Sequence, residues 1–131
     1  MRIIVTGGSG FLGRALVHEL MRRRVDTVAV VRHHFDVNLP QIVISDYILT
    51  PPGDVLVHLA ETRDISAAEA QGEAHIAQTT KTLQQLLCKG FKRIVYASSA
   101  VVYGDNVSIP HRPAESPVLS DTYVRVKVAC E

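Results

Sequence analysis

The chain has 131 residues, 47% of them hydrophobic and 21% charged, with a formal net charge of +1. That is the size of one domain with enough apolar mass for a buried core. The near-neutral balance offers no broad basic field for nucleic acid, and no apolar run approaches the roughly 18 residues of a membrane span.

Residues 2–6 form an apolar run too short for a helix and end at glycines, which predicts a buried strand. The strand starts so close to Met1 that no targeting segment is expected before it. A helix is expected over 11–24, with Leu12, Ala15, Leu16, Leu20 and Met21 at helical spacing. Arg22, Arg23 and Arg24 suit its C-terminus rather than a nucleic-acid contact. Residues 27–32 are again continuously apolar up to Arg32, the mark of a strand covered on both faces. A third strand is expected at 41–45, a break at Pro51-Pro52-Gly53, and a fourth strand at 54–60. One long helix is expected over 67–88, turning Ile76, Thr80, Leu83, Leu86 and Leu87 to the core and ending at Gly90. A fifth strand follows at 93–98, then an irregular stretch at 107–117 with Pro110, Pro113 and Pro117. Asp121 is placed to cap a last helix from about Thr122.

Strand and helix alternate and the strands are buried, so the fold class is α/β, a Rossmann-type doubly wound parallel sheet of order 3-2-1-4-5. Such sheets bind ligands at the carboxyl ends of their strands, where the strand order reverses. Thr6-Gly7-Gly8-Ser9-Gly10-Phe11-Leu12-Gly13 lies there, between a strand and a helix. Gly7 permits the tight turn, Gly10 lets backbone N–H groups approach a pyrophosphate, and Gly13 allows close helix packing. The helix N-terminus then faces the phosphates. The signature points to NAD(P).

The end of the second strand discriminates NAD from NADP: an acid there binds the ribose 2′-hydroxyl and a basic residue suits a 2′-phosphate. Arg32 occupies that position and Asp36 is out of register, so the reading favours NADP; a guanidinium there can also stack on adenine or face solvent. His33 and His34 are adjacent on a loop without further ligands, so no metal is expected. Asp46 is placed either to accept from the adenine amino group or to act as a turn or cap residue.

Ser99 falls at the end of the fifth strand, where nicotinamide is expected. Tyr123 and Lys127 are four apart, on one face of a helix. The Lys127 ammonium would favour the Tyr123 phenolate, which takes a proton from a substrate hydroxyl as hydride leaves for the nicotinamide. The Ser99 hydroxyl would orient the substrate oxygen.

The whole chain resembles the extended short-chain dehydrogenase/reductase family, and within it the NAD-dependent epimerase/dehydratase group acting on nucleotide sugars. The resemblance rests on the glycine loop, Val57-His58-Leu59-Ala60, Ser98-Ser99-Ala100-Val101-Val102-Tyr103-Gly104-Asp105, and Tyr123-x-x-x-Lys127 with Glu131 beyond. Pro110, Glu115 and Pro117 fit the proline-and-acid loop before the family's tyrosine. The resemblance implies Ser99, Tyr123 and Lys127 as catalytic residues. It places Leu59 and Ala60 near the cofactor ribose and pyrophosphate, and Tyr123 and Lys127 on the cofactor as well. It implies a nucleotide sugar as small-molecule partner and a homodimer through the helix after Ala60 and the helix at Tyr123. Cys88 and Cys130, read as reduced thiols, place the protein in the cytoplasm.

Three positions depart from the pattern. His75-Ile76-Ala77-Gln78-Thr79 stands where the family has Asn-Val-x-Gly-Thr, Val126 replaces a Ser or Thr, and Arg32 replaces an acid. Family members run to roughly twice this length. Residues 1–131 are therefore read as an NAD(P)-binding domain stopping before the last strands and the substrate domain. Two functions follow: an epimerase, dehydratase or reductase of nucleotide sugars, or a non-catalytic NAD(P)-binding module serving as redox sensor or partner-binding protein.

Overall fold

The computed structural model describes residues 1–62, 64–104 and 110–131. Five parallel strands, β1 (Ile3–Thr6), β2 (Thr27–Val31), β3 (Gln41–Val43), β4 (Val55–His58) and β5 (Arg93–Tyr96), form one sheet of order β3-β2-β1-β4-β5. This is the expected order, and the reversal point falls between β1 and β4. The helices are α1 (Phe11–Arg22), α2 (Ile65–Gln71), α3 (Glu73–Leu87) and α4 (Thr122–Cys130). Residues 1–61 with 84–97 form one compact unit, and 62–83 with 98–131 a second.

In the first unit, alternation along each strand sorts the core into two layers. Ile4, Val28, Val30 and Leu56 meet Leu86 of α3 on one face. Val5, Ala29 and Val31 meet Val17 of α1 on the other, with Leu16 and Leu20 packed alongside. The interior strand β2 is buried at all five positions, as its unbroken apolar run requires. Register pairs Thr6 with both Val30 and His58, and His58 with Tyr96, so three strands end level at the carboxyl edge. The strands are shorter than their apolar runs. One residue past that edge the strands are still tied to each other: Gly7 N–H donates to Val30 O at 3.0 Å and Leu59 N–H to Thr6 O at 3.2 Å.

The helix expected over 67–88 is two helices. Asp64 caps α2 by accepting from Ala67 N–H at 2.9 Å, and Gly72, at φ +51°, ends it. A left-handed residue cannot continue a right-handed helix, and glycine holds that conformation without a Cβ clash. Leu83 and Leu86 are buried as expected, but Leu87 is 54% exposed because it falls beside their stripe.

The end of α1 accounts for the arginine run. Arg22 Nη2 and Arg23 Nε reach Glu19 at 2.7 and 2.5 Å. Both hold the Glu19 carboxyl down at about 2. Arg24 takes φ +56°, with its N–H on Met21 O and Val25 N–H on Leu20 O. That paired closure is the one in which glycine is the usual left-handed residue.

At the amino edge of the sheet, Asp54 accepts from Lys92 Nζ and Arg2 N–H, both at 2.7 Å. It thereby ties the start of β4 to its two neighbours.

In the second unit α2 packs against α4. The Glu69 carboxylate accepts from both the N–H and the hydroxyl of Thr122, the latter at 2.9 Å. Asp121 caps α4, as expected, accepting from Val124 N–H at 2.8 Å. Arg125 pairs with Glu73.

Two predictions follow from these ends. Arg24→Gly relieves a left-handed arginine and should stabilise the chain by about 0.5–1 kcal/mol in urea unfolding; a lower midpoint would contradict the closure described. The Asp54 carboxyl is lowered from 3.8 to about 2, first by the Lys92 hydrogen bond and then by Arg2 N–H. A depressed carboxyl contributes stability above its unfolded value near 4, and loses it as pH falls through the folded value. Lys92→Met should therefore raise the Asp54 titration midpoint in NMR and move acid unfolding to higher pH. An unmoved Asp54 midpoint would show that Lys92 does not hold it.

Candidate functional site

The carboxyl edge of the first unit carries the glycine loop. Gly7 has φ +70°, and a Cβ there would stand 2.8 Å from Leu59 C and O and 2.9 Å from Ala60 N. The turn after β1 thus touches the backbone that leaves β4, which only glycine permits. Gly10 N–H closes the turn on Gly7 O at 2.9 Å. A Cβ on Gly13 would run into that same Gly7 carbonyl and lie 2.8 Å from Gly8 Cα. Gly8, which the sequence reading passed over, lies against Ala29; its Cβ would be 3.0 Å from the Ala29 Cβ.

Gly10 is the N-cap of α1 and brings no side-chain cap. The first N–H groups of a helix have no intrahelical acceptor, so this end suits an anion. Phe11 and Leu12 are 79% and 59% exposed, so neither joins the core. Arg14 folds back, donating to Ser9 O at 2.9 Å and covering the Phe35 ring at 5.2 Å.

Arg32 is exposed just past β2, as are His33, His34 and Asp36. Between them Phe35 turns inward, its N–H and C=O held by the Gln41 side chain at 3.1 and 2.9 Å. Ile44 N–H donates to Val31 O at 2.9 Å, which brings the chain after β3 beside Arg32. Asp46 serves as a cap here: it accepts from Ile48 N–H at 2.9 Å and opens the short turn Tyr47–Leu49. Of the two readings left open for Asp46, the geometry displays the cap.

Beneath the loop lies a buried polar contact that sequence reasoning missed. Thr6 Oγ1 and His58 Nδ1 are 2.8 Å apart. His58 is 3% exposed, stacked on Tyr96 at 6.5 Å and met edge-on by Tyr47 at 6.2 Å. A polar pair inside two apolar runs was the available signal: Thr6 and His58 each end a run of β-branched or leucine residues.

The second unit carries the chemically suggestive residues. Ser99 opens the short turn Ala100–Tyr103 and lines an open cavity of about 500 Å³ with Tyr103, Pro113 and Glu131. Ser98 Oγ donates to the Glu131 carboxylate. Tyr103 stacks on His111 at 5.0 Å, and His111 Nδ1 meets Glu115 at 2.9 Å. Asp105 and Val107 lie outside the described residues. Tyr123 and Lys127 share a face of α4 as expected: the ammonium lies 5.6 Å from the Tyr123 ring centroid. Lys127 is only 5% exposed, a rare burial for this residue. Val126 is also buried, which explains an apolar residue there. His75 lies in the first turn of α3, half-buried, its N–H on Gly72 O at 3.0 Å.

Residues 3–131 match the model of the NAD dependent epimerase/dehydratase family. The chain belongs to that family. Among its relatives, the UDP-glucose 4-epimerase of Halalkalibacterium halodurans is 26% identical, over 100% of this chain and 44% of that protein. The ADP-L-glycero-D-manno-heptose-6-epimerase of Alkalilimnicola ehrlichii is 34% identical, over 88% of this chain and 42% of that protein. A crystal structure of UDP-galactose 4-epimerase superposes with a TM-score of 0.83 at 28% identity, covering 100% of this chain and 49% of that one. MoeE5 in complex with UDP-glucose and NAD gives 0.82 at 25% identity, covering 99% and 46%. The chain thus spans less than half the length of these relatives. Among the described residues no helix is long and apolar enough to cross a membrane.

Gly7→Ala puts a Cβ into the Leu59–Ala60 peptide at a positive φ. It should lower stability by about 1–3 kcal/mol, read as an earlier thermal midpoint. An unchanged midpoint would mean that the turn after β1 does not need its contact with β4.

Proposed function

We propose that this chain is the cofactor-binding portion of an NAD(P)-dependent enzyme that epimerises, dehydrates or reduces a nucleotide sugar. The observation that carries the reading is Lys127, buried on α4 with its ammonium over the Tyr123 ring. A buried lysine is costly unless it serves a partner, and a phenol that must exchange a proton is a suitable one. The relatives, named as a UDP-glucose epimerase and an ADP-heptose epimerase, support a nucleotide sugar as the substrate class.

Gly7, Gly10, Phe11, Leu12 and Gly13 would hold the pyrophosphate by backbone N–H groups, with Leu59 and Ala60 alongside. The loop fits such a group, because α1 starts after Gly10 without a side-chain cap and its first N–H groups are left for an anion. Arg32 would take the adenosine 2′-phosphate, which favours NADP over NAD, and Asp46 has a second carboxylate oxygen for the adenine amino group. The nicotinamide, when bound, supplies reversible hydride acceptance. Tyr123 moves a proton between its phenolic oxygen and a substrate hydroxyl. Lys127 serves the cofactor ribose, and the Ser99 hydroxyl orients the substrate oxygen.

Cys88 and Cys130, read as reduced, support a cytoplasmic setting. The net charge of +1 argues against nucleic acid as partner. A second copy of the chain, meeting it through α3 and α4, is the protein partner we favour.

Calorimetric titration of the chain with NAD+, NADH, NADP+ and NADPH should show tighter binding of the phosphorylated pair. Binding of none would overturn the reading. In a longer protein carrying this sequence, Tyr123→Phe should cut turnover by about 10²–10⁴-fold. Unchanged behaviour in that variant would instead favour a non-catalytic binding module.

A further inference from the structure

Arg14 is the first charged residue after the glycine loop, and its charge does not serve the helix that carries it. A cation in the first turn opposes the helix dipole, and α1 has no acid in that turn to offset it. Among the described residues no carboxylate pairs with Arg14. Its side chain is instead held between two connections of the sheet. Nε donates to Ser9 O at 2.9 Å, in the turn after β1. The guanidinium carbon lies over Phe35, 5.2 Å from the ring centre, in the chain after β2. Phe35 is a fixed platform: its ring is buried with Val5, Val17, Ala29 and Val31, and the Gln41 side chain holds its N–H and C=O at 3.1 and 2.9 Å. A guanidinium that rests on a ring and donates through Nε keeps four N–H groups on its two terminal nitrogens, the edge that forks onto a phosphate. In a sheet of this order the glycine loop serves the pyrophosphate and the end of β2 serves the ribose 2′-oxygen. A guanidinium anchored at Ser9 and at Phe35, three residues past Arg32, stands between the two.

We propose that Arg14 is a specificity-determining residue of this chain, whose two terminal nitrogens grip a phosphate monoester on the ribose 2′-oxygen of an adenine dinucleotide from the side of the glycine loop. The inference rests on the cofactor reading above and deepens it: Arg32, exposed past β2, is joined by a second cation that is oriented before the ligand arrives. That orientation lowers the entropy lost when the phosphate is gripped. Nothing in the pattern at the end of β2 announces it, because Arg14 belongs to α1. A 2′-hydroxyl gains nothing comparable, since it leaves the guanidinium without an anion.

The test is Arg14→Met, at an exposed position of α1 where methionine is a good helix former and can still cover Phe35. Calorimetry on the chain should show NADP+ bound about 10–100-fold more weakly, NAD+ within about twofold of the parent, and an unchanged thermal midpoint. Retained NADP+ affinity would overturn the proposal while leaving the cofactor reading intact. Equal losses for both nucleotides would also overturn it, assigning Arg14 to the shared pyrophosphate. A parent chain that binds NAD+ more tightly than NADP+, or binds neither, would overturn the reading of Arg32 and this inference with it. Arg14→Lys, which keeps the charge and the stem but not the fork, guards against a loss of folding. It should favour NADP+ less than the parent does, and a lysine chain with the parent's preference would sink the proposal. Phosphorus NMR reads the contact itself. The bound 2′-phosphate should give up its last proton at lower pH in the parent than in Arg14→Met saturated with NADP+, because a guanidinium favours the dianion. Identical 2′-phosphate titrations in the two complexes would show that Arg14 does not touch that group and would overturn the proposal on their own.

Discussion

The close approach of two backbones at the reversal of strand order governs the first unit. The turn after β1 presses Gly7 against the Leu59–Ala60 peptide, at a distance no side chain tolerates. That contact requires β1 and β4 to end level, and their register, Thr6 opposite His58, provides this. It also requires α1 to leave the turn at once, which Gly13 permits by packing on the Gly7 carbonyl. The sheet order follows from the same point. β2 and β3 grow to one side of β1, β4 and β5 to the other, so α1 and α3 cover opposite faces. The uncapped start of α1 is brought to the reversal point by this topology, before any particular side chain is considered.

Side chains then stiffen what the backbone opens. Thr6 and His58 face each other below the contact, and their hydrogen bond is satisfied inside the core. A buried polar pair of this kind stabilises little on balance, yet leaving either partner alone costs about 1–3 kcal/mol. Its effect is to fix relative position: the two strand ends that frame the loop cannot slide without breaking it. Tyr47 and Tyr96 flank the imidazole, so the rigidity extends from β1 through β4 to β5 and to the turn after β3.

Much of this was legible in the residues. Apolar runs announced the five strands, but the burial expected of all of them holds throughout only for β2, while the edge strands β3 and β5 stay partly exposed because a neighbour covers only one of their edges. The glycines at 7, 10 and 13 were legible as well: their spacing encodes close approaches that exclude Cβ atoms. The helix over 67–88 was misread because Gly72 sits in a sequence of otherwise good helix formers, and a single glycine is tolerated in many helices. Only the positive φ at Gly72 reveals that the chain stops and restarts there. Glu69 was invisible for another reason. Its carboxylate caps Thr122, 53 residues away, and no local pattern links a residue on α2 to the start of α4.

That long-range cap bears on how chemistry is mounted in the second unit. Spacing alone puts Tyr123 and Lys127 on one face of a helix, but a helix of nine residues does not hold its own geometry in water. Here Asp121 satisfies one end locally, Glu69 takes two donors of Thr122 from α2, and Arg125 pairs back to Glu73. The burial of Val124 and Val126 explains why the segment is apolar where the family pattern carries a hydroxyl. The helix is held at its start, immediately before Tyr123. Lys127 lies one turn further along on the same face, so its closeness to the Tyr123 ring follows from helix geometry.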